Sequence, residues 1–129
     1  MKARASRTAG YAHELSVREH QLIGDEPESD GGTDTGPNPQ ELLALSLASC
    51  TAITLEMYAE RKGWVLGAVS VEVDYDSKAP GPGSFDVLID IPEPLSEEQL
   101  ERLRVISGKC PVHRVLLGEN EINDRIEAG

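Results

Sequence analysis

The chain has 129 residues, with 23 acidic against 12 basic side chains and a formal charge of −11. One domain over residues 1–129 suits that length, and the charge repels phosphate backbones and anionic lipid, so neither nucleic acid nor membrane is an expected partner. No apolar run of the roughly 20 residues a membrane span needs is expected, and none follows Met1-Lys2-Ala3-Arg4, so the expected compartment is the reducing cytoplasm.

Residues 2–24 read as extended, because Leu15 and Val17 alternate with Ser16 and Arg18, and Leu22-Ile23 follow Glu19-His20. This pattern predicts a hairpin. Residues 25–37 are polar and Gly-rich, with Asp25, Glu26, Glu28, Asp30 and Asp34 and no apolar anchor, which predicts a mobile lid or disordered loop.

A helix start follows. Asn38 is a good N-cap, Pro39 suits the first helical position, and Glu41 stands where a capping-box acid reaches back. The helix is expected to run to Lys62 and stop at Gly63. From Leu42 to Leu55 it carries no charge and is apolar or small on every side, so it must be buried all round. One subunit of 129 residues can hardly surround it, which predicts an obligate homodimer.

Residues 64–76 change to period two, with Val69, Val71, Val73 and Tyr75 opposite Ser70, Glu72 and Asp74, a strand with one buried face. Lys78–Gly83 is a turn, Phe85–Ile91 a pairing strand, and Pro92-Glu93-Pro94 ends it. Ser96 with Gln99 forms a second capping box, opening a helix with Leu100, Leu103 and Ile106 as its inner stripe and Cys110 one turn later on the same face. Pro111 should kink or end that helix, Val112–Leu117 makes another turn, and Glu121–Ile126 is expected as a last edge strand.

Chemistry centres on Cys50 and Cys110, the only two cysteines. In a reducing compartment two cysteines are free, catalytic or metal-bound rather than a structural disulfide. Cys50 shares a helix face with Leu43, Leu47, Thr54 and Met57, as an inert buried cysteine would. Cys110 precedes Pro111, Val112, His113 and Arg114, and nearby cations favour the nucleophilic thiolate. The two lie sixty positions apart with no Cys-x-x-Cys, so spacing alone does not pair them. Cys110 and His113 also have the spacing of two ligands at a helix end, and Cys50, His13 and His20 could complete a tetrahedron. Zinc sites usually carry two close ligand pairs and this chain has one, so neither metal nor cofactor is expected. Glu41 is explained by capping, and the acidic loop lacks EF-hand spacing.

The chain resembles the OsmC/Ohr family of thiol-dependent hydroperoxide reductases. The resemblance rests on Asp25-Glu26-Pro27, Gly31-Gly32, Gly36–Leu43, Cys50–Thr54 running into Tyr58–Trp64, and Lys109-Cys110-Pro111-Val112-His113, in family order over nearly the whole chain. It implies an α+β subunit with two central helices wrapped by antiparallel sheet, in an intertwined homodimer with active sites at the subunit interface. It further implies that Cys50 attacks an organic hydroperoxide and becomes a sulfenic acid, that Cys110 condenses with it, and that an external dithiol reduces the resulting disulfide. The peroxidase branch carries Asn-Pro-Glu, whose carboxylate orients a thiolate-stabilising arginine. Here Asn38-Pro39-Gln40 stands instead, with Arg18 the candidate arginine by chain order, and Gly-Pro-x-Pro with Cys-Thr-Ala resembles a different OsmC-like branch. The alternative reading is a non-enzymatic redox sensor, or a binder of a small apolar ligand, on the same fold.

Overall fold

The computed structural model describes residues 1–129. They divide into two compact units, residues 1–45 with 75–84 and residues 46–74 with 85–129.

The first unit opens with three strands, β1 (Ala3–Ala9), β2 (Ala12–Val17) and β3 (His20–Gly24), in an antiparallel sheet of order β1-β2-β3. Leu15 sits opposite Ala5 on one side and Leu22 on the other. The expected hairpin is β2–β3, turning at Arg18, which takes a positive φ of 52° that non-glycine residues seldom adopt. Strand β1 extends it to a meander through Gly10, whose φ of 58° suits glycine. Its own Ala, Ser and Arg side chains carry no alternating apolar signal, so only Gly10 marks it in the sequence.

The acidic loop is ordered, contrary to the expectation of a mobile segment. Asp25 is buried, at 3% exposure, and its carboxylate ties the loop together. Its Oδ2 accepts from the hydroxyls of Thr33 at 2.7 Å and Thr35 at 2.8 Å and from the Thr35 N–H at 3.1 Å. Its Oδ1 accepts from the Glu26 N–H at 2.7 Å. The Thr33 hydroxyl, with those of Thr35 and the backbone donors, holds this carboxyl far below the ordinary range despite its burial. The apolar anchor that the sequence lacks is replaced by a polar one. A short 3-10 turn, Glu28–Asp30, lies within the loop.

Helix α1 (Pro39–Lys62) begins and ends where the sequence places it. The Glu41 N–H donates to Asn38 Oδ1 and the Asn38 N–H to Glu41 Oε1, both at 2.8 Å, a reciprocal capping box. Gly63, at φ 72°, closes the far end. The expectation of cover on every side is not met within one chain. Leu47, Thr51, Leu55, Tyr58 and Ala59 are buried, whereas Leu45, Ile53 and Met57 are 56%, 46% and 57% exposed. By length and composition α1 suffices to cross a membrane, with a window of mean hydropathy 1.5 of which 28% is buried. Its serines and threonines interrupt the apolar run, as expected, without lowering the mean hydropathy below what such a test requires, and the core helix of a soluble protein passes the same test.

In the second unit, Leu55, Tyr58, Ala59, Leu66, Leu103 and Ile106 form the core. Two strands, β4 (Ser70–Asp76) and β5 (Ser84–Asp90), pair into a sheet, and Val69 and Ile89 pack against that core. Strand β4 starts later than expected, but its alternation holds: Val71, Val73 and Tyr75 are half-buried and their neighbours exposed. Helix α2 (Glu97–Ser107) starts with the expected box, Ser96 Oγ accepting from Gln99 N–H and Gln99 Oε1 accepting from Ser96 N–H. Its buried stripe is Leu103 and Ile106, with Leu100 left 40% exposed.

Cys110 does not continue α2. That helix ends at Ser107, Gly108 and Lys109 turn the chain, and Cys110 becomes the N-cap of helix α3 (Pro111–Leu117). Pro111 begins a helix rather than kinking one, since the first helical position needs no N–H and favours the φ that proline fixes. The strand expected over Glu121–Ile126 is absent, and residues 118–129 carry no regular structure. Ile122 and Ile126 are 78% and 92% exposed among polar neighbours, so nothing rewards strand pairing there.

Candidate active site

The second unit brings the two cysteines together. Cys50 lies mid-way along α1, half-buried, three residues after buried Leu47 and next to buried Thr51, whose hydroxyl donates back to the Leu47 carbonyl at 2.8 Å. That bond satisfies the Thr51 hydroxyl inside the helix. Cys110 is fully buried, at 0% exposure. Both are free thiols.

Burial pushes the Cys110 thiol above its ordinary range, and a hydrogen bond to the Cys50 sulfur holds its proton further. The backbone N–H groups of His113 and Val112, in the first turn of α3, act the other way without reversing the shift. Cys110 is therefore a protonated, shielded thiol at neutral pH, against a sulfur that solutes can reach. On the same turn, His113 buries its Nδ1 without a hydrogen-bond partner.

The remaining candidates lie in the other unit. Arg18 is exposed in the β2–β3 turn, its Nη1 3.7 Å from Glu19 Oε1. Gln40 is exposed in the first turn of α1 and donates to the Ser77 hydroxyl at 3.4 Å. His13 on β2 has its Nδ1 2.7 Å from the Tyr11 carbonyl, and His20 Nε2 lies 3.8 Å from Glu19. Each has a local partner. Sequence reasoning missed the Asp25 carboxylate and the Tyr58–Arg102 contact described below. Thr33 and Thr35, spaced to bond one acid, were the available signal for the first.

The profile of the OsmC-like protein family matches residues 32–124, a span that includes both cysteines. The chain belongs to the OsmC-like family. No curated protein matches the sequence. Solved structures of this family share its α+β fold. An OsmC-like protein from Mycoplasma pneumoniae superposes with a TM-score of 0.77 at 22% identity, covering 91% of this chain and 86% of that one. An organic hydroperoxide resistance protein OsmC from Legionella pneumophila gives 0.66 at 20% identity, over 92% and 90% of the two chains. An OsmC-like hydroperoxide resistance protein from Jannaschia sp. CCS1 gives 0.60 at 23% identity, over 98% and 91%. These identities establish the fold and leave the chemistry to the chain's own residues.

Proposed function

We propose that the chain is a thiol-dependent reductase of organic hydroperoxides. The observation that carries this reading is that the buried Cys110 thiol and the more accessible Cys50 sulfur are near enough for Cys50 to help raise the Cys110 pKa. Two relatives in fold named for hydroperoxide resistance support the substrate class.

The Cys50 thiolate attacks the terminal oxygen of the hydroperoxide, the O–O bond breaks, and the alkoxide leaves as an alcohol on taking a proton. Cys50 is oxidised to the sulfenic acid. The Cys110 sulfur then attacks the Cys50 sulfur, the S–O bond breaks, and water leaves with the Cys110 proton. An external dithiol reduces the disulfide by two exchange steps and returns both thiols. Arg18 and Gln40 are the chain's own candidates for orienting or stabilising the Cys50 thiolate, with Gln40 an amide where the peroxidase branch has a carboxylate.

This reading includes a homodimer in the cytoplasm. Leu45, Ile53 and Met57 leave an apolar flank of α1 open, and a second copy covering it would remove that surface from water. Neither a cofactor nor nucleic acid enters the cycle.

Stopped-flow consumption of cumene hydroperoxide by the reduced protein tests the proposal. Cys50→Ser should abolish consumption, and consumption by that variant at the wild-type rate overturns it. The neutral Gln40 favours the second reading, a thiol sensor that oxidises reversibly without useful turnover. Clean disulfide formation with slow multiple turnover, dithiol in excess, would identify that case.

A further inference from the structure

On α1 and α2, away from the thiols, two cations face one aromatic ring. Lys62 Nζ lies 5.7 Å from the centroid of the Tyr58 ring, and the guanidinium carbon of Arg102 lies 5.8 Å from the same centroid. Arg102 Nε also donates to the Tyr58 hydroxyl at 3.0 Å. Trp64 packs edge-on against Tyr58, with centroids 5.7 Å apart and planes at 73°. These four side chains line a groove of about 730 Å³ that neither cysteine borders. That volume lies in the range of small-molecule sites.

The groove lining sets two cations, Lys62 and Arg102, against two carboxylates, Glu98 and Glu101. With 23 carboxylates against 12 basic side chains, a cation here has abundant potential partners. Only Arg18, Lys78, Arg104 and Arg125 of the twelve basic side chains form ion pairs, and Lys62 and Arg102 are among the eight that do not. Glu101 is committed to Arg104, whose Nε donates to it at 3.0 Å. Like charges held around one ring repel each other, and a bridging anion relieves that repulsion. A carboxylate or sulfonate would take charge-assisted hydrogen bonds from the guanidinium and the ammonium. The Tyr58–Trp64 pair offers a flat apolar wall for whatever carries that anion.

We infer that this groove binds a small organic anion bearing an aromatic or flat apolar group, its charge between Lys62 and Arg102 and its ring against Tyr58 and Trp64. The site stands independently of the thiol chemistry.

Trp64 is the only tryptophan, so its fluorescence reports on the groove directly. Benzoate is the probe, with benzamide as its neutral isostere and acetate as the anion without a ring, each titrated by fluorescence and by calorimetry. Saturable binding of benzoate is expected, with benzamide and acetate at least about tenfold weaker. The double variant Lys62→Gln/Arg102→Gln should lose at least about tenfold in benzoate affinity. Both side chains are exposed, so the fold should tolerate it; circular dichroism checks this, and Arg102→Gln alone, with a smaller loss, serves if the double variant does not fold. Equal binding of benzamide and benzoate, unchanged affinity in the variants, or no saturable response overturns the inference.

Discussion

Cys110 keeps its thiol fully buried beside Cys50, which helps to raise its pKa, while Cys50 itself stays partly exposed. The two sulfurs are thus unequal partners in one contact. Reactivity toward a small solute should follow access, and the proton that Cys110 retains should matter only once Cys50 has been modified. Iodoacetamide should label Cys50 at least about tenfold faster than Cys110 in the folded protein. Peptide mapping of partly alkylated protein reads the ratio, and faster labelling of Cys110 would reverse the assignment of attacker and resolver.

The raised Cys110 pKa makes a pH prediction of definite sign. A thiol that holds its proton more tightly when folded stabilises the fold fully below the unfolded thiol's value of about 8.5. Above that value the unfolded chain releases a proton that the native state keeps, so stability falls as pH rises toward the folded pKa. Urea midpoints of the reduced protein should therefore decline from about pH 8 upward more steeply than those of Cys110→Ser. Parallel profiles would show that Cys110 is not the group responsible.

Asp25 has the opposite sign. Its carboxyl is held low chiefly by the Thr33 hydroxyl, so its contribution is present above the unfolded value of about 3.9 and is lost as pH falls below it. Asp25→Asn, which keeps the shape and removes the charge, should speed amide hydrogen exchange of Thr35 and flatten the acid limb of the stability curve. Unchanged protection at Thr35, whose N–H bonds Asp25 at 3.1 Å, would count against the carboxylate as the organiser of this loop.

The start of α1 should respond to its cap. Asn38→Ala removes the side-chain oxygen that the Glu41 N–H uses at 2.8 Å, and the expected loss is about 1 kcal/mol by chemical denaturation. A loss indistinguishable from zero would mean that packing alone fixes where α1 begins.

Dimerisation through α1 predicts a charge-sensitive contact. Ile53→Glu places a carboxylate on a flank that is 46% exposed in the single chain, so the monomer should tolerate it while association should not. Sedimentation should give a dimer for the wild type and a monomer for the variant. A wild type that sediments as a monomer at all concentrations removes the dimer from the proposal.

The sequence disclosed most where a residue type has one cheap use. Asn38, Pro39 and Glu41 announced the start of α1, Gly63 its end, and Ser96 with Gln99 the start of α2, because capping needs specific groups at fixed spacing. It disclosed least where tertiary contacts decide. Pro111 was compatible with ending one helix or beginning another, and the chain leaves helical geometry at Cys110, the residue before the proline, so that Pro111 opens a new helix. Asp25 looked like one acid among several, since its partners Thr33 and Thr35 become partners only once the loop closes. The candidate site was half legible. Both cysteines stood out by type, but sixty intervening residues hid their contact, and the groove at Tyr58 depends on α1 and α2 meeting in the core.

Mass spectrometry of the reduced protein after one equivalent of cumene hydroperoxide tests the central proposal most directly. The wild type should lose two hydrogens and yield a peptide pair linked through Cys50 and Cys110, while Cys110→Ser should instead gain one oxygen at Cys50. Wild-type protein that retains two free thiols while the hydroperoxide persists, or a disulfide linking Cys50 to anything other than Cys110, would contradict it.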